Sequence, residues 1–416
     1  MRAPVFAIFA AIGLAAHPAF AHADRAAPTF WKAVQATCDA TAAKPANELG
    51  RRIAQTAIDE FTSFGGHQID SNGRLFRFGL TEAEHEEDES GRPRAGLGHL
   101  GWWQVFKYWR ALYSDDAPGK LEVRGYRDAF ASTDETKATA LLRTSAAQLL
   151  RLADDVSDPE AREILREAAL RVAIVDTSWS AAFISYVIRR SGVAPDAFQF
   201  ANAHRAYIYD AFATSAAELT KAADHRLYRA TSAAELTKAA DDRVYRATSA
   251  AELTKAADDR VYRAASAAEL TKAADDRVYR ACPLSTKPRV GDLICAQREP
   301  ALADSSDAAV RERILEELAG STDARSVRRT HCEVVAHIDA QARKVYTIGG
   351  NVNQAVTARK LSLRSDSKFS AAQKGVCDGS DRWTLPQASS HPPRAPLVAE
   401  PCSLNDKKWF VLLQMR

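Results

Sequence analysis

From Arg51 to Phe64 the chain reads RRIAQTAIDEFTSF, with apolar side chains returning every three or four positions, and this spacing predicts an amphipathic helix. Gly101 to Leu112 (GWWQVFKYWRAL) repeats the pattern with aromatic residues. Thr133 to Arg171 is rich in Ala, Leu, Arg and Glu, and its break at Asp158-Pro159 divides it into two helices. Beyond residue 290 the period changes. GDLICAQ, CEVVAHID and KVYTIGG are short, β-branched, alternating runs separated by charged or glycine turns, and they predict antiparallel strands. Lys408 to Met415 (KWFVLLQM) predicts a last strand. Helices first and strands afterwards imply an α+β fold, with N-terminal helices packing on a small antiparallel sheet.

Between these regions the chain repeats itself. Residues 214–281 are four near-copies of a 17-residue unit that begins TSAAELTKAADHRLYRA. Each copy predicts a helix, with Ser215 and Glu218 forming a capping box in the first. Seventeen residues at about 100° each fall about 100° short of five turns, so one continuous helix would shift its apolar stripe at every copy. A tandem expansion of one surface helix, inserted in the main domain, fits this pattern. One copy then belongs to the underlying fold.

The chain opens with Arg2, an apolar run from Ala3 to Ala16, and Ala21-His22-Ala23. This is the pattern of a signal peptide cleaved after Ala23. It implies a periplasmic or secreted protein with no integral membrane segment, since the run is shorter than the roughly 20 residues a spanning helix needs. Residues 24–44 then form an N-terminal extension and 45–416 the main domain. Six cysteines in an oxidising compartment permit disulfides, and Cys377 with Cys402 is the first pairing to expect, because both flank a proline-rich tail. The absence of CxxC spacing gives no reason to expect a structural metal, and no cofactor is implied. With 56 basic and 53 acidic residues, the net charge of +3 argues against nucleic acid as a partner. The acidic run Glu82 to Glu89 is expected to be a solvated loop. The oligomeric state stays open.

Candidate chemistry gathers around DTSWSAAFISYVIRRSGV, residues 176–193. Ser180, Phe183, Ile184 and Val187 share one helical face, and a nucleophile at a buried helix start gains up to ~2 kcal/mol from the backbone dipole. A serine also needs a base. His331 opens the strand THCEVVAHID, and Asn351 in IGGN is placed to orient an imidazole as a third member. Each has a structural alternative: Ser180 as a helix N-cap, His331 at a strand edge, Asn351 in a turn, and His204 as a packed core residue.

Taken in order, WSAAFISYVIRRSGV, VGDLICA, THCEVVAHID and IGGN resemble the papain-like cell-wall hydrolases of the NlpC and CHAP kinds. More closely, WSAAFIS, His204 with Tyr207, GDL and Tyr108-Trp109 resemble a bacterial family catalogued as domain of unknown function 2272. The resemblance covers most of residues 45–416 apart from the repeats and part of Thr133 to Arg171. It implies a papain-like fold and an exported hydrolase of amide bonds, with peptidoglycan or a peptide as partner. Ser180 then stands at the position of the usual catalytic cysteine, His331 at the base and Asn351 loosely at the third residue. Trp179, His204, Tyr207 and Asp292 are the candidate substrate-binding residues. With serine in place of the thiol, the alternative is an inactive cell-wall or peptide-binding protein on the same scaffold.

Overall fold

A computed structural model describes residues 20–126, 133–134, 141–229, 276–298, 307–318, 329–370, 373, 385 and 404–416. Helix α1 (Phe20–Ala42), whose first turn contains the expected cleavage point, precedes α2 (Glu48–Ser63), which starts where the Asn47 side chain accepts the Gly50 amide at 2.8 Å. Strands β1 (His67–Ile69) and β2 (Leu75–Arg77) come next, followed by α3 (Gly101–Tyr113). A hairpin of β3 (Glu122–Tyr126) and β4 (Leu141–Ser145) leads into α4 (Ala146–Asp154) and α5 (Pro159–Asp176). Ser145 and Gln148 form a capping box for α4, and Asp158 caps α5 with Pro159 in its first turn. Helices α6 (Ser180–Arg190) and α7 (His204–Arg229) complete this half.

The second half carries β5 (Tyr279–Cys282), β6 (Leu293–Gln297), α8 (Asp307–Leu318), β7 (Thr330–Asp339), β8 (Lys344–Val352), β9 (Ala355–Ser362) and β10 (Lys408–Met415). The fold is α+β, but its sheet is neither small nor wholly antiparallel. Eight strands lie in the order β2-β1-β9-β8-β7-β6-β10-β5, and β1 pairs parallel to β9. Four of these strands escape periodicity: β1 and β2 are three residues long, β5 is written in repeat sequence, and β9 (AVTARKLS) does not alternate strictly.

Alternation along the central strands builds two apolar faces. Leu293, Cys295, Cys332 and Val334 join Phe183, Ile184, Tyr108 and Trp109 of the helices in the larger core. Ile294, Ala296, Val335 and Trp409 point the other way and pack with Val34 and Cys38 of α1. Among the described residues, the disulfide Cys38–Cys282 ties α1 to β5, and Cys295–Cys332 joins directly opposed residues of the neighbouring strands β6 and β7. The Cys377–Cys402 pairing lies outside the described residues. Among the described residues, no helix is long and apolar enough to cross a membrane.

The repeat block meets the body at its two ends. Ser215 does not cap a helix, because α7 has already begun at His204 and no breaker intervenes. Its hydroxyl donates to the Ala281 carbonyl at 2.9 Å and accepts the Ala281 amide at 2.9 Å. Glu218 pairs with Arg280 at 3.3 Å and with Arg416 at 2.7 Å. The head of the first copy therefore binds the tail of the last. The same pair also takes two conformations: Tyr228-Arg229 is helical in α7, whereas the equivalent Tyr279-Arg280 is strand in β5. Removing residues 227–277, three whole units, leaves a single copy with its own head and tail. We expect the shortened chain to fold and to melt cooperatively, with its melting temperature moved by no more than about 2 °C. In that shortened chain, Ser215→Ala should cost ~1–3 kcal/mol in denaturant unfolding, because the Ala281 amide is left buried and unpaired.

Candidate functional site

Helix α6 is buried on nearly every side from Ser180 to Ile188, with Tyr186 the half-buried exception. Gly350 lets it lie so close to the sheet, and Gly349 makes room for the neighbouring side chains of β7. A Cβ on Gly350 would fall 2.5 Å from the Phe183 ring, and one on Gly349 would fall 2.8 Å from Glu333 Cγ and 3.0 Å from His331 Nε2. The pairing of β7 with β8 ends at Val334–Ile348, and the β8–β9 register shifts between Gly349 and Val352. The sheet is thus parted beside the start of α6, and the candidate residues collect there.

Trp179 occupies the N-cap position, so Ser180 is the first helical residue and not the cap. Its Oγ lies 2.7 Å from His204 Nε2. His204 opens α7, and its Nδ1 receives the Cys332 amide at 3.3 Å and lies against the Tyr207 hydroxyl. The His204 and His331 rings meet edge to face, 5.1 Å between centroids. All three polar side chains are buried, with 6 %, 5 % and 4 % exposure for Ser180, His204 and His331.

The Cys332 amide favours one tautomer, in which the Tyr207 hydroxyl donates to the same Nδ1. A backbone N–H can only donate, so His204 Nδ1 must present its lone pair to Cys332. Burial, with His331 close by, holds the His204 pKa well below its usual value, so the ring is neutral. A neutral imidazole accepting at Nδ1 carries its proton on Nε2, and Ser180 Oγ is then the acceptor of the 2.7 Å bond. That polarity is opposite to the one a general base requires.

His331 has a different partner from the one expected. Its Nε2 donates to Glu333 Oε1 at 3.2 Å, two residues along the same strand face. Burial alone would raise Glu333, but the Arg359 guanidinium at 2.7 Å, His331 and the Thr347 hydroxyl at 2.5 Å hold its carboxyl well below the usual range. Burial, reinforced by Arg298, lowers His331 to about 4, so it too is neutral near pH 7. Its Nδ1 is buried and has no hydrogen-bond partner among the described residues. Asn351 makes no hydrogen bond to His331 among the described residues. It stands in left-handed backbone (φ 52°) at the irregular end of β8, and Glu333 fills the place expected for it.

The remaining candidates are structural. Trp179 is fully buried, stacked on Phe64 at 5.9 Å, and its indole N–H donates to Glu82, so it offers no surface to a ligand. Tyr207 is buried and stacks on Phe198 at 5.1 Å. Asp292 accepts the Arg289 amide at 2.7 Å and the Met415 amide at 2.8 Å, clamping the Gly291-Asp292 turn to β10. Glu82, expected in a solvated loop, is buried because Trp179 needs an acceptor beneath the helix start.

An open recess lies on the outer side of the same helix. Trp103, Lys107, Arg110, Ala111, Ser114 and Asp115, along α3 and its end, line it with Tyr186 of α6, enclosing about 450 Å³. Lys107 is fixed there by the buried Glu60 carboxylate at 2.8 Å, which also accepts the Tyr108 hydroxyl at 2.6 Å. The sequence marked GWWQVFKYWRAL as amphipathic, but only the packing shows which of its aromatics face outwards.

Burial raises Glu82 to about 7, the Trp179 hydrogen bond opposing it. The folded state then binds this proton more tightly than the unfolded chain does, so the stabilisation is complete below about pH 4.5 and fades as pH rises through about 7. Glu82→Gln keeps an acceptor for the indole and has no proton to lose. The stability of the wild type relative to Glu82→Gln should therefore decline between these pH values in urea titrations; a flat difference would show that folding leaves the Glu82 pKa unchanged.

A family sequence model matches residues 99–244 and 238–415, the two stretches meeting within the repeats and running through Thr133 to Arg171. No curated protein and no solved structure matches the chain. The chain belongs to the family described as uncharacterized protein conserved in bacteria (DUF2272).

Proposed function

We propose that the chain is an exported recognition protein on a papain-like scaffold of the NlpC and CHAP kind, binding a cell-wall fragment or peptide without cleaving it. The wiring of His204 carries this reading. With the Cys332 amide donating to Nδ1, the Ser180 hydroxyl accepts a hydrogen bond from the ring, which is then not placed to take the hydroxyl's own proton. The hydroxyl is also buried, while open volume lies along the α3–α6 recess. There an indole, a phenol ring, an anchored ammonium, a guanidinium and a carboxylate face one space, a lining suited to a polar, ring-containing or peptide ligand. Ser180, His204 and His331 then act as a buried node that fixes α6, the wall of the recess.

The hydrolase reading retains one specific observation, a serine oxygen 2.7 Å from a ring nitrogen at the start of a buried helix. It requires the other tautomer, which turns Nδ1–H towards the Cys332 amide. Export from the cell follows from the leader pattern at the N-terminus and belongs to the same proposal.

Soluble disaccharide-peptide fragments of peptidoglycan, titrated by tryptophan fluorescence, should bind saturably to the wild type and to Ser180→Ala. Binding should weaken by about tenfold or more in Trp103→Ala and Arg110→Gln. Release of new amine ends that depends on Ser180 would refute the recognition reading and restore the hydrolase. A second measurement is independent of the ligand. The His204 ring should show the Nε2–H tautomer in nitrogen NMR, and the thiol of Ser180→Cys should alkylate no faster than a free cysteine of pKa ~8.5. A thiol that reacts rapidly near neutral pH would mean that the imidazole accepts the proton after all.

A further inference from the structure

Among the described residues nine large apolar side chains are exposed, and eight of them lie in one excursion, residues 122–176. Three sit on the β3–β4 hairpin and one, Leu152, on α4. The other four, Ile164, Leu165, Val172 and Val175, lie on α5. Such concentration marks an interaction surface, whereas single exposed leucines are ordinary.

Helix α5 has two apolar sides. Ala173 and Ile174 are buried in the main core. At about 100° per residue, Ile164, Val175, Ala168 and Val172 fall within an arc of about 80° on the other side, with Leu165 at its border. Ile164 is 61 % exposed and Val172 45 %. The helix is not a loose end, because Asp158 caps it and Arg166 pairs with Asp154 of α4 at 2.5 Å.

The charges bordering this stripe identify its occupant. Glu167 and Arg171, paired with each other at 3.4 Å within the helix, lie along one border, and Arg162, on the Val156 carbonyl at 3.0 Å, and Asp176, on the Arg124 amide at 2.7 Å, lie along the other. If a second α5 is laid antiparallel about a two-fold axis at Ala168, Ile164 of one helix faces Val172 of the other. The two Ala168 side chains meet at the centre, where small residues allow close approach. On one border Arg171 comes within about half a turn of the copy's Glu167, and on the other Arg162 comes beside the copy's Asp176. Both borders therefore bring opposite charges together, as a self-complementary surface requires. A parallel arrangement sets Asp176 far from any cation of the facing border.

We propose that this face of α5 is the interface of a homodimer, with two copies of the chain packed antiparallel through the stripe. The inference concerns a different surface from the α3–α6 recess and is independent of the function proposed above. Sedimentation velocity of the full mature chain, from about 1 to 100 µM, should show a monomer–dimer equilibrium. Ile164→Asp and Val172→Asp, both at exposed positions, should weaken it by roughly thirtyfold or more with the circular dichroism unchanged. Arg171→Glu alone should weaken it, and adding Glu167→Arg should recover dimerisation. A monomer at every concentration, a dimer indifferent to both aspartates, or a charge swap without recovery would each overturn the proposal. So would a monomer that floats with anionic phospholipid vesicles, which would assign the stripe to lipid.

Discussion

The approach of α6 to β8 at Gly349-Gly350 is the constraint on which the rest of the site depends. Neither position has room for a Cβ: Phe183 occupies the space on one side of the sheet, and Glu333 with His331 the space on the other. Close packing of this kind leaves the chain one arrangement. Helix α6 must sit low, β8 must leave its ladder with β7, and the Cys332 amide at the parting is satisfied by His204. The position of the Ser180 hydroxyl follows, since the first turn of α6 is held by Phe183 below and His204 beside it.

Much of this was legible in the sequence wherever a local period spoke for itself. Helices α2, α3 and α6 and strands β6, β7, β8 and β10 have runs long enough for the period of 3.6 or of 2 to show. Strands β1 and β2 are too short to have a period, and β4 lies in the stretch Thr133 to Arg171, whose composition favours helix. Strand β5 is the sharpest failure, because its sequence is nearly that of a segment of α7. Only the neighbours decide: Tyr279 to Cys282 lie beside β10, with Ser215 and Glu218 holding the opposite edge. Tertiary pairing overrides propensity there.

The candidate site was legible residue by residue but not in its wiring. Ser180, His204 and His331 do converge, yet His204 takes the hydroxyl and Glu333 takes His331. The i,i+2 spacing of His331 and Glu333 on one strand face was visible, although nothing local ranks that contact above one from Asn351. Trp179 shows the opposite error. A tryptophan beside a candidate nucleophile suggests a ligand platform, but full burial and the Glu82 carboxyl make it part of the core.

The charge balance explains why an imidazole pair at the end of a helix does not amount to a catalytic ion pair. Two rings 5.1 Å apart disfavour simultaneous protonation, and burial lowers both. The nearby carboxylate that could support an imidazolium, Glu333, already holds Arg359 at 2.7 Å, so its charge is largely spent on a guanidinium. An anion at residue 180 would then face a neutral ring and the helix dipole alone, worth at most ~2 kcal/mol. That is less than two pKa units. It falls far short of what a serine hydroxyl needs, so nucleophilic attack from this position depends on a base, a role that the tautomer proposed for His204 does not supply.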